Sequence, residues 1–195
     1  MKWVLASDNA GKLAELSALL AGIRVELIAQ AQFGIKAAAE TASSFVENAL
    51  LKARHAAAGS GLPALADDSG LIVDALNGAP GLISAEYAGR HGDSAGNIAR
   101  LLAELSGTPQ AQRSARFYCV LVLLRSADDP QPLIAEGVWR GRILDSARGT
   151  GGFGYDPVFF DPVHGCSAAE LPTAIKNRCS HRGQALTRLR ELIGH

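Results

Sequence analysis

Residues 2–29 read KWVLASDNAGKLAELSALLAGIRVELIA, and this opening stretch already indicates the fold class. Its β-rich run 2–7 predicts a strand, and leucines at positions 13, 16, 19 and 20 recur at helical spacing until Gly22 ends the helix. Apolar residues at positions 25, 27 and 29 alternate and predict a second strand. A strand, a helix and a second strand in this order are the start of an α/β protein.

The rest of the chain continues this alternation of helices and strands. Ser44 and Glu47 form a capping box, which predicts a helix from residue 45, and apolar spacing predicts further helices near 98–105 and from about residue 180. Apolar segments at 63–66, 71–76, 117–124 and 133–144 predict strands, of which 117–124 has the all-round apolar character of a central strand. We expect a single domain over residues 1–195, with a long loop at 77–94.

Composition and charge exclude several classes of protein. The chain has 195 residues, 48% of them hydrophobic and 19% charged, which is enough apolar surface for a sizeable core and argues against a disordered chain. Basic and acidic residues number 19 each, and the resulting net charge of zero argues against nucleic acid as the main partner. Because no apolar run is long enough to span a bilayer and no signal-peptide pattern opens the chain, we expect a cytoplasmic protein without membrane contact.

The spacing of cysteines and histidines gives no sign of a metal site. Cys119, Cys166 and Cys179 are odd in number and lack a C-x-x-C pair, which excludes a disulfide framework and a zinc ribbon and fits a reducing compartment. Cys119 lies in an apolar run and is expected to be a buried structural thiol. The histidines that show no metal-ligand spacing, and that we expect at the surface or in loops, are His55, His91, His164 and His195.

The first of four polar segments that contain or adjoin glycine joins the first strand to the first helix. It comprises Ser7, Asp8, Asn9, Ala10, Gly11 and Lys12. Free backbone N–H groups and the positive end of the helix dipole suit a phosphate at such a turn, and Lys12 adds a charge. The segment is not a Walker A loop, because Ala6 and Leu13 stand where that loop needs Gly and Ser or Thr. An ordinary turn with a solvated lysine explains it equally well.

The second segment, residues 66–70, places Asp67 and Asp68 side by side at the end of an apolar run. Neighbouring side chains of a strand point to opposite faces, so one carboxylate is free to enter a cleft and hold Mg²⁺ or take a proton from water. Glu40 is a candidate partner carboxylate. The alternative is an Asp-Ser-Gly turn, the commonest use of such residues.

The third segment, residues 149–157, reads GTGGFGYDP and contains a formal G-x-G-x-x-G pattern. Pro157 and an aromatic pair follow it instead of a helix, which argues against a dinucleotide-binding turn. Phe153 between glycines is suited to stack on a flat ligand, and Asp156 is suited to bind its polar groups. A glycine-rich hairpin with one core aromatic residue is the alternative.

The fourth segment comprises Lys176 and the run Ser180, His181 and Arg182 at the start of the last helix. Ser180 is a typical N-cap, but two basic side chains are unfavourable at the positive end of a helix. This conflict with the local rule indicates a ligand. A basic pair on a solvated face is the alternative.

Together these motifs resemble one enzyme family. The runs SDNxxK at 7–12, FxENAxxKA at 45–53, ADDSGL at 66–71, GFGYDP at 152–157 and SHR at 180–182 stand in the order seen in the noncanonical purine nucleoside triphosphate pyrophosphatases, the Ham1 or inosine triphosphate pyrophosphatase family. The resemblance implies hydrolysis of ITP, dITP and XTP between the α- and β-phosphates, dependence on Mg²⁺, and a homodimer. It also implies an α/β fold in which helices flank a long mixed central sheet and two lobes enclose a nucleotide-binding groove.

The resemblance also implies a role for each matched residue. Asp68 is then the catalytic carboxylate and a metal ligand, and Asp67, Asn48 and Lys52 have supporting roles. Many bacterial members have two adjacent glutamates where this chain reads Ala39-Glu40, which leaves Glu40 as the candidate second metal ligand. The implied substrate contacts are Ser7, Asp8, Asn9, Ala10, Gly11, Lys12, Ser69, Phe153, Gly154, Tyr155, Asp156, Lys176, His181 and Arg182.

Base selection follows from hydrogen-bonding chemistry. Hypoxanthine and xanthine carry a 6-keto acceptor where adenine carries a 6-amino donor. A donor from His181, Arg182 or a backbone N–H pairs with the keto oxygen and leaves adenine mismatched, at a cost of about 1–3 kcal/mol. We therefore predict that Arg182→Ala loses more activity on ITP than on ATP.

Three alternative functions remain at this stage. A P-loop NTPase or kinase is opposed by the missing Walker A residues. A noncatalytic binder of nucleotides or single-stranded RNA is opposed by zero net charge and by Asp67 and Asp68 beside the presumed phosphate loop. A related house-cleaning pyrophosphatase acting on other modified nucleotides is the closest alternative, and the His181-Arg182 pair favours the purine branch over it.

Overall fold

The structure is a computed structural model that describes residues 1–22 and 24–194. Its strands are β1 Lys2–Leu5, β2 Glu26–Ala29, β3 Ala64–Val73, β4 Ser114–Leu124, β5 Leu133–Ile143, β6 Phe159–Asp161 and β7 Cys166–Ser167. Its α-helices are α1 Ala10–Leu20, α2 Phe45–Ser60, α3 Ser94–Glu104, α4 Thr173–Cys179 and α5 His181–Ile193. Short 3₁₀ turns cover Gln30–Phe33, Asp74–Leu76, Gly81–Glu86, Gln110–Gln112 and Asp156–Val158.

The strands of the described chain pair into a seven-stranded mixed sheet in the order β2-β1-β3-β4-β5-β6-β7. β1 is parallel to both β2 and β3, with Val4 opposite Ile28 on one side and Ala64 on the other. β6 is antiparallel to both β5 and β7. Parallel neighbours need a crossover connection, which α1 supplies between β1 and β2. The predicted α/β fold with a mixed central sheet is confirmed.

Side-chain caps begin three of the helices, among them the helix predicted from residue 45. The Ser44 hydroxyl accepts from the Glu47 backbone N–H and donates to the Glu47 carboxylate at 2.7 Å, so Ser44 is the N-cap of α2, as predicted. Asn9 caps α1 by accepting from the Lys12 N–H at 3.0 Å, and Asp93 caps α3 in the same way. These bonds satisfy N–H groups that have no partner inside the helix.

Residues 64–73 form one continuous strand, which differs from the two separate segments expected on either side of residues 67–70. The Asp-Ser-Gly turn considered as an alternative is therefore wrong. Asp67 and Asp68 remain in the strand because their side chains find buried cationic partners, described below, which offset the low strand propensity of aspartate.

The chain divides into two compact units. The first comprises Met1–Asp68, Cys119–Gly137 and His181–His195. Its core is built from apolar side chains of β1, α1, β3, β4 and α5, including Trp3, Leu16, Leu65, Leu121 and Leu186. Cys119 belongs to this core and is fully buried, as predicted.

The second unit comprises Ser69–Tyr118 and Val138–Ser180. Its core centres on three aromatic rings: Phe159 lies 4.5 Å from Phe117 and 5.0 Å from Trp139 between ring centroids. The predicted loop at 77–94 contains the 3₁₀ turn Gly81–Glu86. The expectation of one domain over residues 1–195 stays a prediction, as does the groove. Within the described residues, no helix has the length and apolar character needed to cross a membrane.

Candidate active site

Strand β3 carries the two adjacent carboxylates of the candidate site. Asp67 is completely buried and Asp68 is 4% exposed. Their partners come from different helices, because consecutive side chains of a strand point to opposite faces. The sequence suggested that one carboxylate enters a cleft while the other faces away, whereas the structure places both among buried charged groups.

The Asp67 carboxylate lies between two cations. Lys12 Nζ is 2.6 Å from Oδ1, and Arg182 Nε donates to Oδ2 at 2.7 Å. Arg182, itself 2% exposed, also donates from Nη1 to Glu15 Oε2 at 2.6 Å. Burial by itself would raise the pKa of Asp67, but Arg182 and Lys12 outweigh it and hold that pKa well below its usual range. Asp67 is therefore an anion at neutral pH that positions one lysine and one arginine.

Asp68 faces α2 and binds a buried lysine. Lys52 Nζ donates to Asp68 Oδ1 at 2.6 Å, to Glu40 Oε1 at 2.8 Å and to the Asp67 carbonyl at 2.9 Å. Burial raises the pKa of Asp68 to about 6 against the opposing effect of Lys52. For Lys52, burial would lower the pKa, but the Asp68 and Glu40 carboxylates raise it. Lys52 is therefore a cation at neutral pH, and Asp68 is a carboxylate that takes up a proton under mildly acidic conditions.

The surroundings of Lys52 fit a hard divalent cation. The Glu40 and Asp68 carboxylates both contact the Lys52 ammonium group, through Oε1 and Oδ1 respectively. The second oxygen of each carboxylate is a further hard donor for a cation. Carboxylate oxygens are the protein ligands that Mg²⁺ prefers. The Asn48 Oδ1 accepts from the Ala42 N–H at 3.0 Å and thereby ties the segment after Glu40 to α2. Asp68 and Glu40 thus have the chemistry expected of magnesium ligands.

The segment between β1 and α1 is an exposed turn that ends in a buried contact. Ser7 Oγ accepts from the Asn9 N–H at 3.2 Å, and Asp8 accepts from Gln30 at 3.1 Å. Ala10 and Gly11 open α1. Because Lys12 Nζ reaches Asp67, the alternative of a solvated lysine is wrong. Phosphate binding at the N-terminus of α1 stays a prediction.

His181 and Arg182 form the first turn of α5 and are 6% and 2% exposed. The alternative of a basic pair on a solvated face is therefore wrong. The helix start lies directly on Gly137 of β5, where an added Cβ would be 1.9 Å from the His181 carbonyl oxygen. Glycine at this position allows the close approach of strand and helix that buries both basic side chains.

A second polar cluster lies within the second unit. Lys176 Nζ is 2.8 Å from Asp156 Oδ2 and 5.2 Å from the centroid of the Phe153 ring. The same Asp156 oxygen accepts from the Phe153 N–H at 2.8 Å. Gly152 has φ +71° and an added Cβ would lie 2.0 Å from that oxygen, so glycine is required in this turn. Phe153 is half-buried and thereby available for stacking.

Other predicted substrate contacts have mixed surroundings. Gly154 has φ +62° in the turn after Phe153, and Ser69 is half-buried on β3. Tyr155 is 5% exposed in the aromatic core, and its hydroxyl donates to the Ser84 carbonyl at 2.9 Å. These bonds account for Tyr155 as a core residue, and its contact with substrate stays a prediction.

Sequence reasoning missed two sets of residues. Glu15 was not singled out, although it lies one helical turn after Lys12 and binds Arg182. The expectation that His164 has no metal-ligand spacing is wrong, because Asp161 precedes it by three residues and contacts it at 2.5 Å. His55, His91 and His164 are exposed, as predicted, whereas His195 lies outside the described residues.

Comparison with known proteins agrees with these motifs. The Ham1 family model matches residues 3–192. A dITP/XTP pyrophosphatase of Xanthomonas campestris pv. campestris (strain 8004) is 62% identical over 97% of this chain and 96% of the relative. A dITP/XTP pyrophosphatase of Vibrio parahaemolyticus is 53% identical over 96% and 94% of the two chains.

Solved structures show the same likeness. A HAM1 protein from Coxiella burnetii is 49% identical, with a TM-score of 0.91 over 100% of this chain and 98% of that one. The Staphylococcus aureus Ham1 protein is 36% identical, with a TM-score of 0.86 over 100% and 98%. On its motifs, its sheet and these matches, the chain belongs to the Ham1 family.

Proposed function

We propose that this chain hydrolyses noncanonical purine nucleoside triphosphates, namely ITP, dITP and XTP, to the monophosphate and pyrophosphate. The observation that carries the proposal is the buried Asp68 carboxylate, held at 2.6 Å by Lys52 beside Glu40, in a chain 62% identical to a dITP/XTP pyrophosphatase. The proposed reaction removes these nucleotides from the nucleotide pool.

The residues of the first unit supply the charge and the base that this reaction needs. A triphosphate carries several negative charges, so attack at the α-phosphorus requires nearby cations and a positioned water. Lys12 and the N-terminus of α1 supply positive potential for phosphate oxygens. When bound to Asp68 and Glu40, Mg²⁺ would neutralise further phosphate charge. Lys52 orients both carboxylates, since it donates to each of them.

Asp68 is the proposed general base. The water oxygen forms a bond to the α-phosphorus while its proton passes to the Asp68 carboxylate. The bond between the α-phosphorus and the bridging oxygen breaks, and pyrophosphate leaves with the electron pair. The proton on Asp68 then passes to solvent. The pKa of about 6 leaves Asp68 ionised at neutral pH and still basic enough to accept this proton.

Base recognition is assigned to donors at the start of α5 and to the cluster of the second unit. Arg182 already donates to Asp67 and Glu15, so its guanidinium is held in one orientation. Phe153 offers a half-buried ring for stacking, and Lys176 with Asp156 offers one donor and one acceptor. We propose that these groups and Ser69 contact the substrate and that the turn at Ser7–Lys12 contacts its phosphates.

The base-reading role of Arg182 is tested by a ratio of activities. Arg182→Ala also leaves Asp67 and Glu15 without a buried cation, so its absolute activity falls on every substrate. We expect the kcat/KM ratio of ITP to ATP to fall, because the lost donor matters only for a 6-keto base. Equal losses on both nucleotides would contradict this role.

The reaction itself is tested with purified protein, ITP, dITP, XTP, GTP and ATP, in Mg²⁺ and in chelator. We expect pyrophosphate and monophosphate from the first three, with GTP and ATP slow, and no turnover in chelator. Asp68→Asn should lose activity by about 10²–10⁴-fold while a fluorescent nucleotide still binds. Asp74→Asn, an exposed aspartate in the second unit, is the matched control and should retain full activity.

Each other outcome assigns a different function. Orthophosphate as the product indicates a γ-phosphatase, and turnover of modified pyrimidine or methylated nucleotides in preference to ITP indicates the related house-cleaning class. Full activity of Asp68→Asn would refute the proposed base.

We further propose that the enzyme is a homodimer in the cytoplasm, on the basis of the family resemblance. Light scattering after size exclusion tests the first point and cell fractionation tests the second. A single species of about the 20.3 kDa chain mass would contradict the dimer.

A further inference from the structure

A cluster of side chains in the second unit carries ligand chemistry that the proposed reaction does not use. Asp161 ends β6, His164 lies in the following turn, and Cys179 ends α4. The ligand atoms of these three residues all lie within 4.8 Å of one another. Asp161 is 1% exposed, Cys179 is half-buried and His164 is exposed. One side of the cluster is therefore built into the core and the other is open to an ion from solvent.

Backbone hydrogen bonds hold the cluster in place. The Val163 N–H donates to Asp161 Oδ1 at 2.9 Å, and the Gly165 N–H donates to the Asp161 carbonyl at 2.9 Å. His164 Nδ1 contacts the other carboxylate oxygen of Asp161 at 2.5 Å. The turn thus directs an imidazole and a carboxylate to one point before any ion binds, which lowers the ordering cost of binding.

A fourth ligand group lies on the same face of the sheet. Cys166 of β7 is directly opposite Asp161 of β6 in the antiparallel register. Side chains directly opposite each other project from the same face, with Cβ atoms about 4.5–5.5 Å apart. The cluster therefore offers one oxygen, one nitrogen and one sulfur donor, and the Cys166 sulfur on the adjacent strand is a further candidate.

This donor set selects the class of ion. Thiolate and imidazole ligands favour Zn²⁺ and similar borderline-soft ions, whereas Mg²⁺ takes oxygen ligands. We propose that Asp161, His164 and Cys179 form a Zn²⁺ site, with Cys166 as the fourth ligand. Each thiol that ligates the ion loses its proton to solvent, and the ion takes the place of the hydrogen bond between Asp161 and His164. The site is separate from the carboxylates assigned to Mg²⁺, which belong to the first unit.

The proposal is tested by titrating the reduced, chelator-treated full chain with Co²⁺ as a spectroscopic substitute for Zn²⁺. A 1:1 complex with thiolate-to-cobalt charge-transfer absorption and intense tetrahedral visible bands is expected. Zn²⁺ should displace the Co²⁺, and millimolar Mg²⁺ should not. Affinity for Zn²⁺ itself is measured by competition with a chromophoric chelator.

Variants assign the ligands. Cys179→Ala and His164→Ala should each weaken Zn²⁺ by at least ~10–100-fold. Cys119→Ala and His91→Ala remove the same groups elsewhere and should leave the affinity unchanged, as should Asp68→Asn. His164 is exposed, so its substitution does not threaten folding.

Absence of charge-transfer absorption, or unchanged Zn²⁺ affinity in both Cys179→Ala and His164→Ala, would overturn the site. Loss of the complex in Asp68→Asn alone would assign the ion to the carboxylates of the first unit instead. Unchanged affinity in Cys166→Ala would overturn the fourth ligand.

Discussion

Replacing Asp67 with asparagine tests whether the buried carboxylate organises the first unit. Asn has nearly the same shape, so the substitution creates no cavity and removes only charge and acceptor capacity. Asp67 is fully buried and binds Lys12 at 2.6 Å and Arg182 at 2.7 Å. In Asp67→Asn, the new NH₂ group must face one of these cations, and both lose their shared counter-charge.

The expected loss of stability is large for one substitution. Removing one partner of a buried ion pair costs about 3–5 kcal/mol, because the remaining charge is left without compensation. For a chain of this size each kcal/mol corresponds to roughly 2–4 °C, so we expect Tm to fall by ~6–20 °C. Asp74→Asn is the matched control: its side chain is 54% exposed beside Arg116, and a surface pair of this kind contributes below ~1 kcal/mol.

The assay is urea unfolding at neutral pH, followed by tryptophan fluorescence and far-ultraviolet circular dichroism. Trp3 belongs to the first unit and Trp139 to the second, so both units report on unfolding. Lys12→Met, made in the parent protein and in the Asp67→Asn background, completes a double-mutant cycle. In the Asp67→Asn background it removes a cation that has already lost its carboxylate partner. We expect Lys12→Met to be less damaging there than in the parent protein, with a coupling of about 0.5–3 kcal/mol.

The pH dependence provides an independent check with a definite sign. The pKa of Asp67 in the folded protein lies well below its ordinary value of 3.8, so the ionised carboxylate stabilises the fold above that value. This contribution is lost as pH falls from 3.8 towards the folded pKa. The deficit of Asp67→Asn should therefore be constant above about pH 5 and shrink below about pH 4. An Asp67→Asn deficit below ~1 kcal/mol at neutral pH, or additive effects in the cycle, would refute the reasoning.

Three further predictions concern glycines and tyrosine. Gly137→Ala places a Cβ 1.9 Å from the His181 carbonyl oxygen, so we expect a loss of about 1–3 kcal/mol in urea unfolding and reduced activity; unchanged stability would show that α5 can move away without cost. Gly152→Ala and Gly154→Ala both force an L-residue to positive φ, at +71° and +62°, but only the Cβ added at Gly152 clashes with Asp156, at 2.0 Å. Gly152→Ala should therefore raise the KM for ITP more than Gly154→Ala does. Equal KM values for the two variants would contradict a role for the Asp156 contact. Burial and the hydrogen bond to Glu104 raise the pKa of Tyr87 to about 12, so a spectrophotometric titration of the folded protein at pH 11 should show fewer phenolates than the unfolded chain, and equal numbers would contradict the buried environment.

Local sequence patterns were sufficient for the family and for most of the longer helices and strands, whereas β6, β7 and α4 were not predicted. The capping box at Ser44 and Glu47, the strand at 117–124 and the helix after Asn9 depend on residues a few positions apart. Such patterns are read directly, because helix caps and side-chain periodicity follow from backbone geometry. The motifs named for the family also carry most residues of the candidate site, whereas Glu15, Glu40 and Lys176 lie outside them.

The sequence left two interpretations open at each motif, and contacts between residues far apart in the chain decided between them. Asp67 and Arg182 are 115 residues apart, and Lys12 and Asp67 are 55 apart, yet these pairs decide that residues 64–73 stay a strand and that Lys12 is not solvated. Periodicity contains no information on such pairings, because a buried charge is stabilised by whichever opposite charge the fold brings to it. The chain therefore specifies its elements and its family through short-range patterns, whereas only the packed structure determines which charges meet and what chemistry they share.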